Sequence, residues 1–300
     1  MQARVTPVGR LVGGKIVGFE PFTDTWLGQW RCNAMKQTNS LQGWSRWLRR
    51  MAAVVALAAV VVPQRSHAEP VAPGLRNIVL VHGAFADGSS WSEVIAILQR
   101  KGYHVTTVQN PLTSLADDVA ATRRVLERQK GGVLLVGHSW AGVVVTEAGN
   151  APNVKGLVYL SALVPDSNES VGDLLTRLHA PMAGLKPDEH GLIWLDDPEA
   201  YRQVMAGDVP AAKARLLAAV QQPIAAGAFG EKVSHAAWRD KPSWYLITEN
   251  DHALLPAVQW ELAQETGAHR VTLKSSHMSM VSHPADIARL IDRAARELSR

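Results

Sequence analysis

Gly132-Val-Leu-Leu-Val-Gly-His-Ser-Trp-Ala-Gly142 joins a strand to a helix through a very short bend. The apolar, β-branched run 133–136 has the pattern of a strand buried on both faces, ending at Gly137. Ala141-Gly-Val-Val-Val-Thr-Glu-Ala148 then opens a helix, which leaves Ser139 on the bend itself. A serine held there adopts a strained backbone, so the residues two before and two after it must be small. Here they are Gly137 and Ala141. The bend lifts the hydroxyl clear of the sheet, and the helix N-terminus behind it supplies free N–H groups and a positive dipole end. A nucleophile that attacks a carbonyl needs those conditions. The pentad departs from G-x-S-x-G because Ala141 holds the last position and Gly142 comes one later. Taken alone, it also fits a strand-end serine with no chemical role.

The flanking sequence repeats the strand–helix alternation. Strand-like runs lie at 77–82, 104–108, 156–161, 243–248 and 270–274. Helical patterns cover 91–101 and 115–130, and two more helices start near Pro256 and Pro284. Six strands alternating with helices predict an α/β fold, a mostly parallel sheet with helices on both faces. Ligands of such sheets bind at the carboxyl ends of the strands. Residues 162–240 break the alternation with short helical pieces at 171–178, 199–205 and 211–221, separated by prolines. An insertion of that length is not a bare loop, and it is expected to form a small helical cap over the strand ends.

The N-terminal stretch has a different character. Arg46, Arg49 and Arg50 precede twelve unbroken apolar residues at 51–62, followed by Pro63 and the small-x-small triplet Ser66-His67-Ala68. Basic region, short apolar core and small-residue cleavage site predict a secretory signal peptide cleaved after Ala68. As a helix, twelve residues span about 18 Å, too short for a bilayer core of about 30 Å. The expectation is therefore export to the periplasm or medium, with residues 69–300 as the mature domain and no stable membrane association. Met35 offers an alternative start, and Arg49-Arg50 leaves twin-arginine export open beside the general route.

This division changes the charge argument. Residues 1–68 hold nine of the 31 Lys/Arg and two of the 27 Asp/Glu, which leaves 22 basic and 25 acidic residues, a balance of −3. No nucleic-acid or polybasic membrane surface follows from that balance. Cys32, the only cysteine, lies in the leader, so the remainder has no disulfide and no thiol nucleophile. No metal-ligand spacing is present, and neither a cofactor nor a metal is expected. A homodimer is left open.

A serine needs a base, and the base needs a carboxylate to orient it. Asp251 follows the 243–248 run within three residues, and His277 follows the 270–274 run in Ser275-Ser-His-Met-Ser-Met. Ser139, Asp251 and His277 thus fall at three strand ends in the order Ser…Asp…His, the chain order of an α/β-hydrolase triad. His283 is the rival base, but it directly precedes Pro284, which suggests a cap or packing role. His252 adjoins Asp251 and should point away from it. Asp166 and Glu249 are alternative acids. His82 and His138 read as structural hydrogen-bonders. The backbone N–H groups of Trp140, and of Ala84 in the turn His82-Gly-Ala-Phe85, are the expected oxyanion donors.

Val81-His-Gly-Ala-Phe-Ala-Asp-Gly-Ser-Ser-Trp91, the Ser139 bend and Ser276-His-Met-Ser-Met-Val-Ser-His-Pro284 resemble the α/β-hydrolase superfamily. The closer resemblance is to its branch of plant methylesterases, hydroxynitrile lyases and small bacterial carboxylesterases. It spans about 77–298 apart from most of the cap. It implies an acid, base and nucleophile at Asp251, His277 and Ser139, with the oxyanion turn at Ala84 and Trp140. In that branch the lyases carry a threonine at the position of Gly83 and a lysine at that of Met278, so this chain resembles the esterases. Phe85 and Met278 are expected in an apolar substrate pocket. The function expected is hydrolysis of small carboxylic esters through an acyl-enzyme. The competing functions are a C–C lyase and a non-catalytic ligand-binding protein of the same fold.

Overall fold

A computed structural model describes residues 74–180 and 184–300 and, near the N-terminus, a two-residue antiparallel ladder of Leu11–Val12 with Lys15–Ile16. The signal-peptide reading, Met35 and Cys32 lie outside the described residues.

Six parallel strands form the central sheet: β1 (Asn77–Val81), β2 (His104–Val108), β3 (Val133–His138), β4 (Val154–Leu160), β5 (Ser243–Thr248) and β6 (His269–Leu273). Their order is β6-β5-β4-β3-β1-β2. The central strands carry continuous apolar runs because both of their faces are covered; every residue of β3 and β5 is buried. The edge strands β2 and β6 are largely exposed or half-buried and correspondingly more polar. β3 continues through Gly137 and His138, which pair with Tyr159 and Leu160, so the strand ends two residues beyond its apolar run.

Helices cover both faces. α1 (Ser92–Arg100) packs on α9 (Pro284–Glu297), and α2 (Leu115–Glu127) packs on α3 (Ala141–Ala148). The Ser114 side chain caps α2 by accepting from Asp117 N–H at 2.9 Å. α2 stops at Glu127, short of the expected 130. α7 (Pro256–Glu265) and α9 each begin with proline at the first helical position, where its missing N–H costs nothing. A short α8 (Ser279–Ser282) precedes α9. The stretch between β4 and β5 holds α4 (Val171–Arg177), α5 (Pro198–Val204) and α6 (Ala211–Val220). It also forms a two-residue ladder, Leu192–Ile193 with Ile224–Ala225, that periodicity does not signal.

Strand register sets the site. Val81 pairs with Gly137, Leu160 with both His138 and Leu246, and Leu273 with Thr248. The segments that follow these ends therefore emerge along one rim. β1 sends its connection outward to β2, whereas β3 lies on its other side, so the strand order reverses between β1 and β3. The Ala84 turn and Ser139 sit at that reversal. Among the described residues, no helix is long and apolar enough to cross a membrane.

Candidate active site

Ser139 has φ +55°, a left-handed backbone that a non-glycine residue adopts only when its surroundings impose it. Several contacts impose it here. Ser139 N–H donates to Leu160 O at 3.1 Å, and Ser139 O accepts from Gly142 N–H at 2.9 Å and from Leu163 N–H at 3.1 Å. A Cβ at Gly137 would sit 2.7 Å from Ala141 O, and one at Gly142 would overlap Leu163 O. Gly142 is thus needed for close approach of the next loop, while Ala141 is accommodated.

His277 and Asp251 meet in the interior, each 1% exposed. His277 Nδ1–H donates to Asp251 Oδ2 at 2.7 Å. The carboxylate also accepts from Ala253 N–H at 2.8 Å and Leu254 N–H at 2.9 Å. Thr248 Oγ1 at 2.7 Å and Gln259 Nε2 at 2.9 Å complete its shell. Burial pushes the Asp251 carboxyl up, but the adjacent His277 and these donors outweigh it and hold it below the ordinary carboxylate value. With Nδ1 carrying the proton, Nε2 of His277 is free to accept. It has no protein partner.

Ser139 and His277 line one cavity of about 330 Å³. They are not hydrogen-bonded to each other there, as is common for nucleophile and base before substrate arrives. Ala84, Phe85 and Trp140 share the wall, and the backbone N–H groups of Ala84 and Trp140 donate to no acceptor among the described residues. No Lys, Arg, Asp or Glu side chain lines the cavity among those residues. Its other walls come largely from the 162–240 stretch, including Leu163, Leu175, Leu195, Val204, Met205 and Phe229. A more open pocket of about 570 Å³ adjoins it, sharing Leu175, Leu185 and Phe229.

The turn after β1 is rigidly held. Asn110 N–H donates to His82 Nε2 at 3.0 Å, so His82 Nδ1 carries the proton and donates to Gly83 O at 2.9 Å. Asn110 Nδ2 donates to His82 O at 2.9 Å. Burial lowers the His82 pKa, which favours the neutral ring this pattern requires. A Cβ on Gly83 would lie 2.8 Å from both His138 O and Ser139 Cβ. Phe85, at φ +56°, offers its carbonyl to the buried Tyr201 hydroxyl at 3.2 Å.

His138 Nε2–H donates to His277 O at 3.0 Å, and the two rings lie 4.6 Å apart. Burial, reinforced by the neighbouring His277, drives the His138 pKa well down and keeps it neutral. The other candidates fall elsewhere. Asp166 is partly exposed and paired with Arg239, and Glu249 is exposed. His283 stands 3.3 Å from Asp208, not at Asp251. His252 lines the cavity, where its Nδ1–H donates to Gln203 O at 3.1 Å. Met278, expected in the pocket wall, is instead fully buried outside it, packed among the core residues just before α8. Gln259, Asn110 and the cap residues carry no motif that could have marked them.

The chain is similar to several known proteins. The chain is 28% identical over 245 residues to the alpha/beta hydrolase nvfD of Aspergillus novofumigatus, covering 73% of this chain and 96% of that one. It is 26% identical over 242 residues to a pyrethroid hydrolase of Sphingobium wenxiniae, covering 72% and 86%. The crystal structure of polyneuridine aldehyde esterase superposes with a TM-score of 0.64 at 19% identity, covering 73% of this chain and 99% of that one, and shares the fold. Residues 78–290 match the profile of the Alpha/beta hydrolase family. That match takes in every strand of the sheet from Ile78 onward and the first half of α9, and the chain belongs to the alpha/beta hydrolase family.

Proposed function

We propose that this protein is a serine esterase that hydrolyses uncharged, apolar carboxylic esters through an acyl-enzyme. The observation that carries the reading is the buried His277–Asp251 hydrogen bond, whose imidazole shares a cavity with the strained Ser139. His277 Nε2 takes the hydroxyl proton as Ser139 Oγ attacks the ester carbonyl. Asp251 fixes the tautomer and stabilises the imidazolium. The N–H groups of Ala84 and Trp140 receive the oxyanion. Collapse expels the alcohol, which takes the proton from His277. Water, deprotonated by the same nitrogen, then releases the acid and restores Ser139. The apolar walls favour neutral substrates, since a carboxylate buried there would find no cation to pair with. The pyrethroid hydrolase among its relatives supports activity on apolar esters. Export directed by residues 1–68 belongs to the same proposal.

The test is turnover of p-nitrophenyl esters of increasing acyl length by the purified protein, alongside Ser139→Ala. Hydrolysis with covalent capture of Ser139 by a fluorophosphonate is expected. Unchanged turnover in Ser139→Ala would end the covalent mechanism. Stoichiometric ester binding without turnover would favour a ligand-binding role, and cyanide release from a cyanohydrin would favour a lyase.

A further inference from the structure

His277 lies four residues past the end of β6, where the side chain of His138 at the end of β3 donates to its carbonyl. Its flanking residues are also gripped from the segment 203–208, which spans the last residues of α5 and the loop after it. Met278 N–H donates to Met205 O at 3.0 Å. Ser276 N–H donates to Asp208 Oδ2 at 3.1 Å, and the Ser276 hydroxyl donates to Asp208 Oδ1. His283 Nε2 stands 3.3 Å from the same carboxylate. Burial pushes the Asp208 carboxyl up, yet the hydroxyl and N–H donors on the base loop hold it below its ordinary value, so it stays an ionised double acceptor. The acid loop is tied to the same segment through His252 and Gln203 O. Val204 and Met205 meanwhile form part of the cavity wall. One stretch of cap thus contacts the substrate space, the acid loop and the base loop.

We propose that Asp208 is a positioning residue that clamps the base loop through Ser276, holding the His277 imidazole in register with Asp251 and the Ser139 hydroxyl. This rests on the esterase reading of Ser139 and His277; Asp208 itself touches no substrate atom. The clamp makes correct seating of the cap a condition of a correctly placed base. A displacement of about 1 Å at a reacting group is enough to cost ~100-fold in rate. A plain structural tie between cap and body would lower stability while leaving the placement of His277 unchanged.

The full-length protein is compared with Asp208→Ala, Asp208→Asn and Ser276→Ala. The readouts are kcat and KM on a p-nitrophenyl ester, the fluorophosphonate labelling rate, and the far-downfield proton resonance of the His277–Asp251 hydrogen bond. Asp208→Ala is expected to lower kcat and labelling by about tenfold or more with a smaller change in KM, and to broaden the resonance. Asp208→Asn keeps an oxygen for Ser276 N–H and should recover most of both signals. Ser276→Ala should give a smaller drop, and the double variant should be no worse than Asp208→Ala alone. An unchanged kcat and resonance in Asp208→Ala overturns the clamp; should that variant not fold, the same result in Ser276→Ala does so. The resonance needs no substrate, so a wild type that fails to label defeats the esterase reading while the clamp is still decided.

Discussion

Asp118, in the first turn of α2, accepts the indole N–H of Trp140 at 2.7 Å, and both side chains are buried. Trp140 directly follows Ser139 and lines the cavity, and its ring packs 5.0 Å from Phe229 of the cap. Asp118 also receives Leu112 N–H at 2.8 Å. A carboxyl on the helical flank therefore fixes the wall beside the nucleophile.

That carboxyl makes stability depend on pH. Burial raises the Asp118 pKa to about 6, against the opposing pull of the Trp140 and Leu112 hydrogen bonds. In the unfolded chain it ionises near 3.8. Between these values the folded state keeps a proton that the unfolded state has released. Its contribution is complete below pH ~4 and is lost as pH rises through about 6, a change of at most about 3 kcal/mol. Asp118→Asn should cost about 1–2 kcal/mol at low pH from a mismatched donor, and its stability should no longer fall across that window. Urea unfolding at several pH values measures this, and parallel curves for the two proteins would refute it.

Asp251 has the opposite sign. Its lowered pKa adds stability at neutral pH that disappears only as pH falls below about 3.8. Asp251→Asn replaces an oxygen by an NH₂ facing several donors. We expect kcat to fall by about 10⁴-fold, through loss of the required His277 tautomer. Turnover within tenfold of wild type would exclude Asp251 as the acid.

The two candidate bases separate cleanly. His277→Ala should lower kcat by more than ~10³-fold, matching Ser139→Ala, because the groups act as a unit. His283→Ala removes only a partly exposed contact to Asp208 and should cost less than about tenfold. Steady-state kinetics on one ester, with circular dichroism to verify folding, distinguishes them. A dead His283→Ala would move the base assignment.

Gly83 tests the oxyanion turn. A methyl group there meets His138 O and Ser139 Cβ at 2.8 Å, so the turn carrying Ala84 N–H must retreat from the nucleophile. Gly83→Ala should lose about 10²–10³-fold in kcat, the cost of one misplaced oxyanion donor. Gly230→Ala, where a Cβ meets nothing within 4 Å, serves as the control. Equal activity in both variants would remove the turn from the mechanism.

Much of this molecule is readable along the chain because the relevant physics is local. A strand buried on both faces must be continuously apolar, and a bend as tight as that at Ser139 admits only small flanking residues. These constraints expose the four inner strands and the bend, and alternation with helices then marks the edge strands β2 and β6, the second of which precedes His277. Contacts between distant segments have no such signature. Trp140 and Asp118 are 22 positions apart, His138 and the His277 carbonyl 139, and Asp208 and Ser276 68. Whether such pairs meet depends on sheet register and helix packing, which are set by burying the apolar core as a whole. Burial is non-directional, so the cap residues lining the cavity look like any other core residue until the chain is folded. Met278 shows the converse: adjacency to His277 suggests the pocket, yet its side chain is fully buried in the interior.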